Sequence, residues 1–193
     1  MLKLEYIINQ LEIIKDMSDD DQALKEYNKL IDDLRHDLLV KNCKKTTKAS
    51  KLSAIKAVLN NKRNAREILR KVKIDGDKMI FTDSYQAYII NKIDSVPFDI
   101  VKDNETYPEL KKFFDRQLDE EIKLDYNKIK TDVKLKKELM YYNDKINFNN
   151  KMLLNMMDIL PEGSKYYIYD NTMIIGISPD EEEKGLVLGV KVY

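Results

Sequence analysis

A helix-length segment followed by three strand-length segments occurs twice in this chain, and any fold it adopts must hold both copies. In the first copy, residues 50–62 set Leu52, Ile55, Val58 and Leu59 at helical spacing. Residues 67–74 (Glu-Ile-Leu-Arg-Lys-Val-Lys-Ile) predict a strand, Asp75-Gly76 a hairpin turn, and residues 78–82 and 85–91 two more strands. In the second copy, Asn149 and Asn150 cap a helix that runs through Leu160 and stops at Pro161-Glu162-Gly163. Residues 165–169 and 172–177 form a hairpin across Asp170-Asn171, and residues 185–192 supply the third strand. The copies share no obvious residue identity, so the repeat is one of supersecondary order. The expected class is α+β, built from two α-β-β-β halves.

Ahead of the repeat lies a helical pair. Leu4, Ile7, Ile8, Leu11 and Ile14 share one helical face, and Ser18 before Asp19, Asp20 and Asp21 reads as the N-cap of a second helix reaching about residue 40. In that helix Leu24, Tyr27, Ile31, Leu34 and Leu38 alternate by three and four, a seam suited to another helix. It closes either an intramolecular hairpin or a contact between protomers. Residues 41–50 lack apolar periodicity and read as a linker. The expected division is a helical hairpin with basic linker over 1–47 and an α+β domain over 48–193.

Between the copies, Thr106-Tyr107-Pro108-Glu109 has the form of a capping box, so a helix is expected there with Leu110, Phe113, Phe114 and Leu118 turned inward. Residues 119–142 are charge-rich and leave helix and mixed strand both open.

Charge is unevenly spread. The 34 basic and 34 acidic residues cancel, yet residues 41–73 hold 12 basic side chains and one acid, while residues 1–40 hold 5 and 10. With 43% apolar residues the chain is rich enough to fold. Its single cysteine, Cys43, needs no oxidising compartment, and neither a signal peptide nor a membrane span is visible; a cytoplasmic location is expected.

Catalytic chemistry is sparsely provided. His36, the one histidine, sits between Arg35 and Asp37 and reads as a surface residue, and Cys43 reads as a free thiol. No HxxxH, CxxC, P-loop or GxGxxG occurs. Asp83 reads as a turn-former, residues 180–183 (Asp-Glu-Glu-Glu) as an exposed acidic turn, and the tyrosines at 166, 167 and 169 as strand packing. The expectation is a non-enzymatic protein without cofactor, metal or small-molecule substrate.

The run Ile68-Leu69-Arg70-Lys71-Val72-Lys73-Ile74, Asp75-Gly76-Asp77, Lys78-Met79-Ile80-Phe81-Thr82-Asp83, Ser84-Tyr85-Gln86-Ala87-Tyr88 resembles the strand-turn-strand element of bacterial DNA sliding clamps, the beta subunit of DNA polymerase III. Tyr107-Pro108-Glu109 with Phe113-Phe114 is similar to a segment later in a clamp domain. The helix at 151–160, the strand at 166–169 and the terminal Val187-Leu188-Gly189-Val190-Lys191-Val192 resemble the family's closing stretch. The resemblance spans about residues 48–193, one clamp domain where the family's subunit has three. The proline of the family's C-terminal end is absent here.

The resemblance implies two helices on one face of a sheet, two similar halves, and domains that close edge to edge around duplex DNA. It implies helices facing DNA and a peptide pocket near the C-terminus. Sliding requires backbone contacts only. The phosphate candidates are then Lys41, Lys44, Lys45, Lys48, Lys51, Lys56, Lys62, Arg63 and Arg66. On a helical wheel Lys48, Lys51 and Lys62 fall beside the apolar stripe and Lys56 on its other flank. Ser53, Ala54, Ala57, Asn60 and Asn61 make the opposite face polar but nearly uncharged. Candidate partner contacts are Leu24, Tyr27, Ile31, Leu34 and Leu38, with Val190 and Val192 in the last strand. Two readings result: a clamp-like, replication-associated DNA-binding module whose reduced size suits a phage or mobile element, or a structural or protein-interaction module of the same fold. In the second reading the chain assembles with itself or a partner through its N-terminal helices and binds no DNA.

Overall fold

The computed structural model describes residues 24, 27, 30, 48–61, 66–93, 98–143 and 146–191. Leu24, Tyr27 and Leu30 are helical, the first two half-buried and Leu30 exposed. The remainder of the expected hairpin, including Ile31, Leu34, His36, Leu38, Lys41, Cys43, Lys44 and Lys45, lies outside the described residues, as do Lys62, Arg63 and Val192.

The described chain is mixed α+β. Helix α1 spans Lys48–Leu59 and is followed by β1 (Lys73–Asp75), β2 (Lys78–Thr82) and β3 (Gln86–Asn91). Strand β4 (Glu120–Ile122), helix α2 (Tyr126–Lys134), β5 (Leu139–Asn143) and β6 (Ile146–Asn149) come next. Helix α3 (Asn150–Ile159) leads into β7 (Lys165–Tyr169), β8 (Met173–Ile177), β9 (Lys184–Leu188) and β10 (Val190–Lys191). The main sheet has seven strands in the order β1-β2-β3-β9-β8-β7-β4, and β10-β6-β5 form a second sheet.

That order carries the repeat. The meander β1-β2-β3 and the meander β7-β8-β9 meet where β3 pairs antiparallel with β9, Ala87 opposite Leu186 and Tyr88 opposite Gly185. The strand order is palindromic about this pair, β1, β2 and β3 on one side matching β7, β8 and β9 on the other. The two helices that precede the meanders, α1 and α3, pack against each other. They do so on one face of the sheet, where Ile55, Val58, Leu59, Leu153, Met156 and Ile159 share one buried cluster with Met79, Phe81, Tyr88, Ile174 and Val187. The opposite face holds Ile80, Ala87, Met173, Ile175 and Leu186, covered by Tyr107, Leu110 and Phe114. Burial on both faces explains why β8 reads as an unbroken apolar run rather than an alternation.

Local chemistry sets several boundaries. The Asn149 side chain accepts from the N–H groups of Lys151 and Met152 at 3.0 and 3.2 Å and starts α3. Asp170 and Asn171 take the left-handed conformation that a two-residue hairpin requires, with φ of 47° and 46°.

Four expectations are corrected. Residues 67–74 are not one strand: Glu67–Arg70 form a 3₁₀ turn, and the strand begins only at Lys73 and runs to Asp75. The turn buries Leu69, and Val72 spends its backbone on Asp99 and Val101, a neighbour the local sequence does not announce. The helix expected from Thr106 is absent. Glu109 accepts from the N–H of Lys111 at 3.2 Å instead of reaching back, and a single 3₁₀ turn spans Lys111–Phe113 while Tyr107, Leu110 and Phe114 spread over the sheet. The single strand expected over 185–192 is, among the described residues, two strands broken at Gly189, β9 in the main sheet and β10 against β6. Ala54, expected on the outward face of α1, is 4% exposed and belongs to the core, because α1 is packed by the sheet and by α3 at once.

Candidate nucleic-acid interface

A groove of about 700 Å³ opens where three helix ends converge. The end of α1 and the residues after it contribute Ala57, Asn60 and Asn61; the end of α2 and the turn after it contribute Val133, Lys136, Lys137 and Glu138. The start of α3 contributes Asn149, Lys151, Met152 and Asn155, and Gln86 of β3 lies among them. Its lining residues are therefore three lysines, one glutamate, four asparagines, a glutamine and three apolar residues. α1 contains no acid, and α3 none before Asp158.

Two of the groove's carboxamides, Asn61 and Gln86, are held by a buried carboxylate. Asp83 is fully buried in the turn between β2 and β3. Its Oδ1 accepts from the backbone N–H of Tyr85 and of Gln86, both at 2.9 Å. Its Oδ2 accepts from Gln86 Nε2 at 2.9 Å and from Asn61 Nδ2 at 2.8 Å. Gln86 Oε1 in turn accepts from the Tyr88 hydroxyl at 2.8 Å. Burial pushes the Tyr88 phenol well above its ordinary range, and the charge of Asp83 adds to the effect. Asp83 is thus spent on the turn and on fixing two groove side chains.

The lysines at the opposite wall follow from how α2 ends. Lys136 takes a left-handed φ of 58°, and the N–H groups of Leu135, Lys136 and Lys137 close on the carbonyls of Thr131, Val133 and Asp132. The chain reverses there and both lysines border the groove. Lys137, itself exposed, reaches the half-buried Asp132 at 3.2 Å. Among the described residues no carboxylate pairs with Lys136 or Lys151.

The residues singled out in the sequence are placed differently. Lys51 is bound to Glu183 through both carboxylate oxygens, at 2.8 and 3.0 Å, and its side chain is 21% exposed. Glu183 also accepts from Asn91 N at 3.1 Å, so this pair ties α1 to the edge of β9 and to β3. Lys48 opens α1, Lys56 is half-buried along it, and Arg66 is exposed before the 3₁₀ turn. Lys51, Lys56 and Arg66 are not among the residues that line the groove. Val190 is 47% exposed on β10. Lys136, Lys137 and Lys151 were not singled out, although residues 128–137 carry five lysines against one acid. That local imbalance was the available signal, hidden because the secondary structure of 119–142 stayed open.

At the far side of α3, Tyr126 donates to Asp158 Oδ1 at 2.8 Å, with the Lys130 ammonium 5.1 Å from the Tyr126 ring centre. Burial raises the Asp158 pKa, against the lowering effects of the Tyr126 hydrogen bond and of Lys130. Among the described residues no group of three His, Cys, Asp or Glu is placed to hold a metal ion, and no helix is long and apolar enough to cross a membrane.

Comparison of the chain with known protein families, characterised proteins and solved structures returns no match.

Proposed function

We propose that this protein is a non-enzymatic, clamp-like DNA-binding module that contacts duplex DNA through its backbone only and works in a replication-associated assembly. One observation carries the reading: two α-β-β-β units share a continuous sheet across the β3–β9 pair, with α1 and α3 side by side on one face. The near absence of acids from those two helices supports it, since a surface that meets phosphates must not repel them. Phosphate contact would come from Lys48, Lys56, Arg66 and the basic stretch before α1, without base readout. Assembly with itself or with a protein partner would use the seam of Leu24, Tyr27, Ile31, Leu34 and Leu38.

The test is anisotropy of a labelled duplex at rising salt. Affinity should fall at least roughly tenfold between about 50 and 200 mM salt. A duplex that does not bind at the lower salt rejects the reading.

The ion pair that occupies Lys51 favours a second reading, a structural or protein-interaction module of the same fold that assembles through its N-terminal helices and binds no DNA. A solution mass above the monomer, without duplex binding, selects it.

A further inference from the structure

The basic stretch before and along α1 is the obvious phosphate surface by composition, and part of its charge is already committed. Lys51 is committed to Glu183, and the face of α1 opposite its sheet contacts is short of charge. The groove between the three helix ends has the opposite character.

Three features of the groove fit one ligand chemistry. Lys136, Lys137 and Lys151 reach it from two separate elements, the turn after α2 and the first turn of α3, so their charges converge on a single space. Lys136 and Lys151 are exposed and carry no intramolecular carboxylate among the described residues. The rest of the polar lining is carboxamide, which donates to an anion's oxygens without adding charge, and only Glu138 opposes. The first turn of α3 adds the positive end of that helix, although Asn149 already caps two of its N–H groups.

Size and shape narrow the ligand further. A volume of about 700 Å³ suits a chain segment or a small molecule and is far too small to swallow a duplex. The lining holds no aromatic ring, so bases have nothing to stack on, and a single strand held by its bases is disfavoured. What remains is a run of phosphates presented along an edge.

We propose that the groove between α1, α2 and α3 is a phosphodiester seat, in which Lys136, Lys137 and Lys151 grip consecutive phosphates of one nucleic-acid strand at the surface of a duplex. The seat deepens the DNA reading above and rests on it for the identity of the ligand. It adds phosphate contacts from the turn after α2 and the first turn of α3 to those proposed for Lys48, Lys56 and Arg66. The carboxamides of Asn61 and Gln86, fixed by Asp83, keep the floor rigid and neutral while the lysines move at the rim.

The experiment compares the full chain with Lys136→Gln/Lys137→Gln/Lys151→Gln in binding to a labelled duplex across salt, and in calorimetric binding of inorganic tripolyphosphate. Lys102→Gln/Lys112→Gln, in the segment that covers the other face of the sheet, controls for loss of charge in general. Circular dichroism checks that each variant folds; all five lysines are exposed. The expected result is a loss of roughly 10- to 100-fold for the triple variant, a salt slope smaller by about 2 to 3, and little change in the control. Duplex binding unaltered by the triple variant, or weakened as much by the control, overturns the seat and leaves the DNA reading standing. No duplex binding together with tripolyphosphate binding that the triple variant loses rejects the DNA reading and a duplex as the groove's ligand, and leaves a polyphosphate site at the three lysines. Failure of the wild type to bind either probe rejects both.

Discussion

Gly176 and Gly185 lie directly opposite each other on β8 and β9, and both sit on the sheet face beneath α3. A Cβ on Gly176 would stand 2.6 Å from Leu160 Cδ1, and one on Gly185 3.0 Å from the Tyr88 ring and 3.1 Å from Met156 Cγ. The pair of bare positions is what lets α3 settle near the seam between the two halves. Tyr88 is fully buried and stacked on Phe81 at 5.0 Å, so it has no room to yield. Gly185→Ala should therefore destabilise by about 1–3 kcal/mol in urea denaturation. A midpoint equal to the wild type would show that α3 does not lie this close.

The Lys51–Glu183 pair joins α1 to the end of the acidic turn and to β3 across a long sequence separation. Glu183→Ala removes the ion pair and leaves Asn91 N without its acceptor, with an expected cost of about 1–3 kcal/mol. In a double-mutant cycle with Lys51→Ala the two losses should be strongly non-additive. Additive losses would mean that the two side chains do not meet.

Asp83 accepts four hydrogen bonds at a fully buried position. Asp83→Asn keeps the shape but turns an N–H toward donors, so a loss of about 2–3 kcal/mol is expected. Because Asn61 and Gln86 lose their anchor, their side-chain amide signals should shift in NMR spectra of the folded variant. Unshifted amides with unchanged stability would contradict the network.

Asp158 titrates in the sense opposite to an ion-paired carboxylate. Burial raises its folded pKa above the ordinary 3.8, so in that window the native state holds more protons than the unfolded chain. Its contribution is intact below 3.8 and is lost as pH rises through the raised folded value. Asp75, Glu105 and Asp180 are shifted the other way, Asp75 by Lys111, Glu105 by the Lys102 backbone N–H and Lys71, and Asp180 by the Ser178 hydroxyl. Only a difference between variant and wild type isolates Asp158. Asp158→Asn should gain stability relative to the wild type as pH rises from below 3.8 toward neutrality; a difference independent of pH would reject the assignment.

Where neighbours in sequence supply the deciding chemistry, the sequence was legible. Strands β2 and β7, the Asn149 cap and the Asp170-Asn171 turn were all anticipated to within a residue, because capping and turn geometry involve groups only two to four positions apart. The capping-box pattern at Thr106–Glu109 misled for the complementary reason. Tyr107, Leu110 and Phe114 have helical spacing, yet the second face of the sheet offered more burial than one helical stripe could reach. The groove was less legible still, since Lys136 and Lys137 come from the segment whose class stayed open and Lys151 stands alone in its helix.

The amino-acid order by itself determined an α+β chain, the two helix-then-strands copies and most turns, all consequences of period, caps and left-handed positions. Only the tertiary structure decided that β3 and β9 join the copies, that Val72 spends its hydrogen bonds on residues 99–101, that Lys51 is bound by Glu183, and that Lys136 and Lys151 face one groove. These are pairings between residues far apart in the chain. Such pairings are chosen by competition for buried area and hydrogen-bond partners over the whole molecule, and no local pattern records the outcome.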